Sequence, residues 1–268
     1  MHSPLRWPGG KGRLTAVILP HVPAHQAYVE TCCGGAGLFW AKPREWSAGE
    51  VLNDVDGDLV TFYRVLHKRG RRLAAEVDAM PYSRQLFRQM LAARPSSQFA
   101  RAVRFWYVNR VSFGGRGTTF GPRARERATV LPVRILASLD ATVERLRGVS
   151  FEAVDVARAI QVYDRPSVLF FVDPPYVGAE RMYASPFGLA DHSRLAAALR
   201  AAKGRWLLTY NDCRLVRSLY RGYPRRRLAG RYHICGTRRA VQLLIANAPL
   251  RAMRRVRCRP RSTATTDS

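Results

Sequence analysis

The sequence predicts an α/β protein built on a doubly wound, largely parallel sheet interrupted by a mainly helical insertion. Three observations carry this. Short continuous apolar runs recur along the chain with helix-compatible stretches between them, as buried parallel strands do. One of the first runs passes through a glycine-rich turn into a helix, a layout that brings main chain close to a nucleotide-like ligand. The stretch from about Pro81 to Gly148 is different in character, basic and helical around a glycine-broken segment, and reads as an insertion between the halves of the sheet.

Taken in order, Pro4-Leu5-Arg6-Trp7-Pro8-Gly9-Gly10-Lys11 is a loop because Pro and Gly punctuate it. A helix over Leu14 to Leu19 follows, ended by Pro20. Ala27 to Glu30 is a short strand that runs into Thr31-Cys32-Cys33-Gly34-Gly35-Ala36-Gly37 and then a helix from Leu38. Glu50 to Asp54 is a second strand ending in acids, followed by a helix from about Gly57 to Lys68. In the insertion, the helical Phe99 to Val108 precedes Ser112-Phe113-Gly114-Gly115-Arg116-Gly117. The sheet resumes with Val149 to Val154, Ser167 to Val172 and Arg205 to Tyr210, with a helix over Asp191 to Ala202, and closes with Gln242 to Asn247. Beyond Pro249 the chain is rich in Arg and then in Ser and Thr, with little to bury, which predicts a disordered tail.

Composition narrows the function classes. The 268 residues suffice for one generous α/β domain, 47% of them are hydrophobic, and no apolar run approaches the roughly 20 residues of a membrane span. The first residues lack the apolar stretch of a secretory signal, so a cytoplasmic protein without a membrane partner is expected. Five scattered cysteines and six histidines show no metal-ligand spacing, and no metal is expected. Lys and Arg number 45 against 19 Asp and Glu, for a net charge of +26, and a field of that sign and strength draws polyanions. Nucleic acid is the natural partner.

The motif that carries chemistry is Asp173-Pro174-Pro175-Tyr176, at the carboxyl end of the apolar run through Val172. Ligands bind at that edge of a doubly wound sheet. A carboxylate and the carbonyl of Pro174 suit the two hydrogens of an amine on a flat ring. Adjacent prolines hold that carbonyl in a fixed direction, and the tyrosine offers a surface for a base. The tetrapeptide alone leaves open a plain proline turn after a core strand.

The ordered set of motifs resembles the Dam-type, class D12 family of adenine-specific DNA methyltransferases over roughly Leu5 to Asn247. The set comprises Arg6 to Lys11, the turn from Val29 to Gly37, Leu52-Asn53-Asp54, Tyr107-Val108-Asn109-Arg110, Asp173 to Tyr176 and Gly236-Thr237-Arg238-Arg239. The resemblance implies a Rossmann-like S-adenosylmethionine-dependent methyltransferase sheet, with a mainly helical target-recognition domain that carries a β-hairpin. Residues 1–58 and 149–250 would form the catalytic domain, 59–148 the inserted one, and 251–268 the tail.

It further implies that Asp173, Pro174, Pro175 and Tyr176 are catalytic. Trp7, Lys11, Glu30, Gly34, Gly35, Gly37, Asp54 and Asp155 would serve S-adenosylmethionine. In particular the glycines would admit its methionine part, Asp54 its ribose hydroxyls and Asp155 its adenine. Asn109, Arg110, Phe113 and Arg116 would serve double-stranded DNA, with Phe113 as a wedge and Arg116 beside base edges. The implied reaction moves a methyl group to the N6 amine of an adenine flipped out of the duplex. The enzyme is expected to be a monomer, and a restriction endonuclease encoded nearby is a companion such an enzyme can have.

The chain departs from the family in Thr31-Cys32, where Pro-Phe is usual, and in Val156, where an aromatic is common. Its hairpin sequence does not imply recognition of GATC. Methylation of cytosine N4 and a DNA-binding module that has lost catalysis are the competing readings. A nicotinamide site is disfavoured, because Gly34-Gly35-Ala36-Gly37 lacks the dinucleotide spacing.

Overall fold

The computed structural model describes residues 1–122, 129–179, 187–228 and 241–251. A 3-10 turn at Lys11–Arg13 and α1 (Thr15–Ile18) lead into β1 (Ala27–Glu30), α2 (Gly37–Ala41) and β2 (Gly49–Asn53). A helical stretch follows: α3 (Gly57–Asp78), α4 (Arg84–Ala92), α5 (Gln98–Val111), α6 (Val133–Ala137) and α7 (Leu139–Arg145). The chain then alternates through β3 (Val149–Glu152), α8 (Val156–Tyr163), β4 (Val168–Val172), α9 (Leu189–Ala201), β5 (Arg205–Asn211) and α10 (Arg214–Leu219). It ends in β6 (Arg225–Leu228) and β7 (Gln242–Ala246).

The strands form one sheet in the order β3-β2-β1-β4-β5-β7-β6. Strands β1 to β5 pair in parallel, and β7 runs antiparallel between β5 and β6. The strand order reverses between β1 and β4, which puts the ligand crevice of such a sheet outside their carboxyl ends. Every strand anticipated from an apolar run is present. β6 was not anticipated: Arg225-Arg226-Arg227 gives no apolar signal, and charge of this kind is what protects an edge strand from further pairing.

The two sheet faces carry separate cores. Val29, Phe170, Val172, Leu208 and Tyr210 pack with α8, α9 and α10. Tyr28, Leu169, Phe171 and Leu207 pack with α2, and the same cluster continues through Phe62, Tyr63 and Trp106 into α3 and α5. The helical stretch thus lies between β2 and β3 in the chain and shares its core with one face of the sheet. Two further expectations are corrected. The helix after β2 continues to Asp78 past a break at Arg69 (φ −140°). In place of a β-hairpin, the described residues hold a 3-10 turn at Phe113–Gly115, closed by a single bridge between Ser112 and Phe120. The glycines around Arg116 take positive φ and break strand pairing there. Residues 236–239 and the expected tail beyond 251 lie outside the described residues.

A buried ionic cluster ties α7 back to the sheet. Glu50 on β2 accepts from both guanidinium nitrogens of Arg145 (2.5 and 2.8 Å) and lies 2.8 Å from the ammonium of Lys42. Burial alone would raise the Glu50 carboxyl, but the bonds from Arg145 and Lys42 outweigh it and hold the group below the usual carboxylate range. Arg145 also stacks 3.7 Å from the ring centre of Phe39 and donates to its carbonyl. Removing one member leaves buried charge without compensation. Glu50→Ala is therefore expected to cost about 3–5 kcal/mol of stability in urea unfolding, and a loss below about 1 kcal/mol would show the cluster to be solvated.

Candidate active site

The carboxyl edge of the sheet is organised by polar side chains at the ends of strands. Asn53, fully buried at the end of β2, donates to the carbonyls of Thr31 and Val154 (2.7 and 3.0 Å) and accepts from the N–H of Val154 (3.1 Å). One side chain so joins the loops after β1, β2 and β3. Asn211, at the end of β5, does the same for the loop after β4, donating to the carbonyl of Val177 and accepting from its N–H. These ties satisfy backbone groups that the strands leave unpaired.

Asp173 follows β4 directly. Its Oδ2 receives the Lys11 ammonium at 2.6 Å and its Oδ1 the Thr209 hydroxyl at 2.5 Å, so the carboxylate is held from the N-terminal loop and from β5 at once. Pro175 borders the cavity described below, and Pro174 is buried. Tyr176 does not present its ring to that cavity as expected. It is 3% exposed, packs against Tyr210, donates to Gln242 Oε1 (3.1 Å) and carries the Lys11 ammonium 4.9 Å from its ring centre.

The glycine turn receives the N-terminal loop. A Cβ at Gly34 (φ +46°) would lie 2.2 Å from the Trp7 indole nitrogen, and one at Gly35 would lie 2.8 Å from Trp7 Cβ. At Gly37 it would meet the backbone nitrogens of Gly12 and Lys11 at 3.0 and 3.2 Å. Gly35 and Gly37 were expected to admit a ligand; they admit the loop instead, and of the three glycines Gly34 borders the cavity. Lys11 reaches Asp173 and the Gly9 carbonyl and does not itself border the cavity.

Glu30 is likewise turned inward. It accepts from the Tyr28 hydroxyl (2.7 Å) and from the N–H of Phe39 (3.1 Å) in the first turn of α2, where a helix leaves donors unpaired. Burial pushes its carboxyl up to about 8, against the lowering effect of those two bonds.

A cavity of about 380 Å³ runs along this edge, within the range of small-ligand sites. Trp7, Cys32, Gly34, Asp54, Asp155 and Val156 line it on the sheet side, together with Asp173 and Pro175 after β4. Arg104, Phe105, Val108 and Arg116 line it on the side of the helical stretch. Asp54 accepts from the N–H groups of Gly34 and Asp56 (2.9 and 3.1 Å). Burial raises its carboxyl to about 6, although those bonds pull the other way. Asp155 caps α8 and is paired in bidentate fashion with Arg194 (2.6 and 2.9 Å), which also holds Asp191. Burial opposes ionisation of Asp155, but the Arg194 pair prevails and keeps it below its ordinary value.

The four residues expected at DNA divide into two pairs. Asn109 and Arg110 are buried rather than presented on the surface, with Asn109 also bordering the cavity. Asn109 accepts from the N–H of Arg6 and donates to the carbonyls of Arg6 and Gly115 (3.0, 2.7 and 3.1 Å), clasping the N-terminal loop to the loop that carries Phe113. Phe113 is 66% exposed, and Arg116 is exposed beside the cavity. Thr209, Asn211 and Gln242 were not singled out from the sequence. Their one signal was a polar side chain at the end of an otherwise apolar run.

Among the described residues no three His, Cys, Asp or Glu side chains gather as a metal-holding group, and no helix is long and apolar enough to cross a membrane.

Comparison with known proteins gives a consistent result. A family model for D12 class N6 adenine-specific DNA methyltransferase matches residues 7–234. A DNA adenine methylase of Escherichia coli K12 is 26% identical over 258 residues, covering 88% of each chain. One from Salmonella typhimurium LT2 is 25% identical over the same length and coverage. A DNA N-6-adenine-methyltransferase of Escherichia phage P1 is 25% identical over 238 residues, 81% of this chain and 31% of that longer protein.

The Glu30 geometry makes a pH prediction. With a folded-state value near 8 against 4.5 in an open chain, the native protein keeps a proton that the unfolded chain releases across this window. The residue's contribution is whole below about pH 4.5 and is lost as pH rises through 8. Relative to Glu30→Gln, the wild type should lose urea-midpoint stability between pH 5 and 8.5; parallel profiles would show that Glu30 titrates normally.

Proposed function

Since the chain belongs to the D12 class of N6 adenine-specific DNA methyltransferases, we infer that it methylates adenine at the carboxyl edge of β4, with Asp173 as the group that holds the target amine. The observation that carries this is the placement of Asp173. It stands at the strand-order reversal, on the cavity wall, with its carboxylate fixed from two sides.

S-Adenosylmethionine is the methyl donor that fits. The cavity is large enough, and Asp54 retains acceptor capacity toward ribose hydroxyls after its two backbone bonds, because a carboxylate offers about four lone-pair sites. Gly34 and Trp7 would border the donor, and Asp155 would face its adenine across the Arg194 pair. When bound, it supplies a methyl group on positive sulfur, which becomes neutral as the carbon passes to nitrogen.

The chain's own residues orient the acceptor. Asp173 and the Pro174 carbonyl take the two amine hydrogens and turn the nitrogen lone pair toward the methyl, so geometry provides most of the rate. After transfer, Asp173 stands beside the proton that the nitrogen sheds. Lys11 covers the Tyr176 ring, so stacking of the base there takes a shift of the N-terminal loop. Exposed Phe113 enters the space that the flipped base leaves, and Arg116 reads base edges next to it. A target-recognition role for residues 59–148, monomeric action in the cytoplasm and a neighbouring restriction endonuclease complete the proposal.

Asp173→Ala should abolish transfer of labelled methyl groups to DNA and leave duplex affinity within about tenfold, because affinity rests on arginines; full activity in that variant would overturn the assignment. Cofactor affinity, titrated calorimetrically without DNA, should rise as pH climbs through about 6, where Asp54 ionises, and then level off. Asp54→Asn should bind weakly at every pH. A flat wild-type profile would remove Asp54 from the site.

A further inference from the structure

The hydroxyl of Thr209 has no place in packing. The residue is fully buried near the end of β5, and in the parallel and antiparallel ladders its strand lies between β4 and β7. Its face of the sheet is apolar: Leu207, two residues earlier, and Leu244, its partner on β7, both belong to the hydrophobic core there. Valine would fill the same space without a polar atom. A hydroxyl buried in such a place costs free energy unless it is bonded. Thr209 Oγ1 lies 2.5 Å from Asp173 Oδ1, and since a carboxylate only accepts, the hydroxyl is the donor.

We infer that Thr209 is a positioning residue for methyl transfer, fixing the rotation of the Asp173 carboxylate so that its acceptor edge faces the target amine. The inference rests on the reading that Asp173 holds that amine. The terminal torsion of an aspartate is soft, with broad wells, and Lys11 pulls on only one of its oxygens, Oδ2. With Thr209 on the other, the plane of the carboxylate is set by two donors approaching from different elements. Without it, the carboxylate is free to turn so that both oxygens share the ammonium of Lys11, and the lone pair needed by the amine is turned away. Asn211, on the same strand, holds Val177 at the far end of the motif, so β5 steadies the catalytic loop at both ends.

The test measures methyl transfer in a single turnover with the full chain, labelled S-adenosylmethionine and duplex DNA, together with cofactor and duplex affinities. Thr209→Val should slow transfer by about 10- to 100-fold, the penalty of a misplaced reacting group, while both affinities stay within about threefold. Thr209→Ser keeps the donor and should return the rate to within about threefold of wild type. An unchanged rate in Thr209→Val overturns the inference, as does an equal slowing in Thr209→Ser, which would show that shape matters and the hydroxyl does not. If Thr209→Val is not recovered folded, Thr209→Ala takes its place, and Ala and Ser variants of equal rate contradict the proposal. Asp173→Asn, measured alongside, separates the two levels. Activity retained there removes the reading of Asp173 itself, whereas an inactive Asp173→Asn with a fast Thr209→Val removes only the role of Thr209.

Discussion

The arrangement depends on the ion pair between Lys11 and Asp173, which joins the beginning of the chain to the end of β4. At 2.6 Å, with Lys11 4% exposed, it is shielded from water far more than a surface pair. For Lys11 to arrive there, the loop before it has to lie flat on the turn after β1, and Gly34, Gly35 and Gly37 clear the room for it. The loop in turn accepts the clasp of Asn109, which reaches from α5 and also binds the Phe113 loop. The sheet edge, the N-terminal loop and the exposed aromatic are thus one connected piece of structure.

Charge is distributed to match. Several of the acids are paired with basic side chains. Glu50 holds α7, Asp58 holds Arg101 and Arg104, Asp155 and Asp191 hold Arg194, and Asp212 holds Arg217 and Arg227. What remains on the surface is mostly positive, as a polyanionic substrate requires. Asp54 and Asp173 are among the acids on the wall of the cavity.

Much of this was legible in the residues. Buried parallel strands announced themselves as apolar runs, and the acids after them fell at the carboxyl edge because strand ends in this topology do. Asp173 and Asp54 could be found that way. The Arg-rich β6 could not, since three arginines carry no alternation and its pairing depends on β7, a distant partner. Asn109 and Arg110 were visible as a pair, but their burial follows from how α5 packs against the N-terminal loop. The glycines were rightly seen as a place of close approach, while the approaching group, Trp7, came from the same chain. Thr209 was hidden because its meaning arises only when β5 lies beside β4.

This edge of the sheet is proposed to transfer methyl groups to the N6 amine of adenine in DNA. The most direct measurement incubates the purified protein with DNA and S-adenosylmethionine labelled in the methyl group, then digests the product to nucleosides and separates them. The label is expected in N6-methyladenine. Label in N4-methylcytosine, or unlabelled DNA with folded protein that binds both substrates, would contradict the proposal.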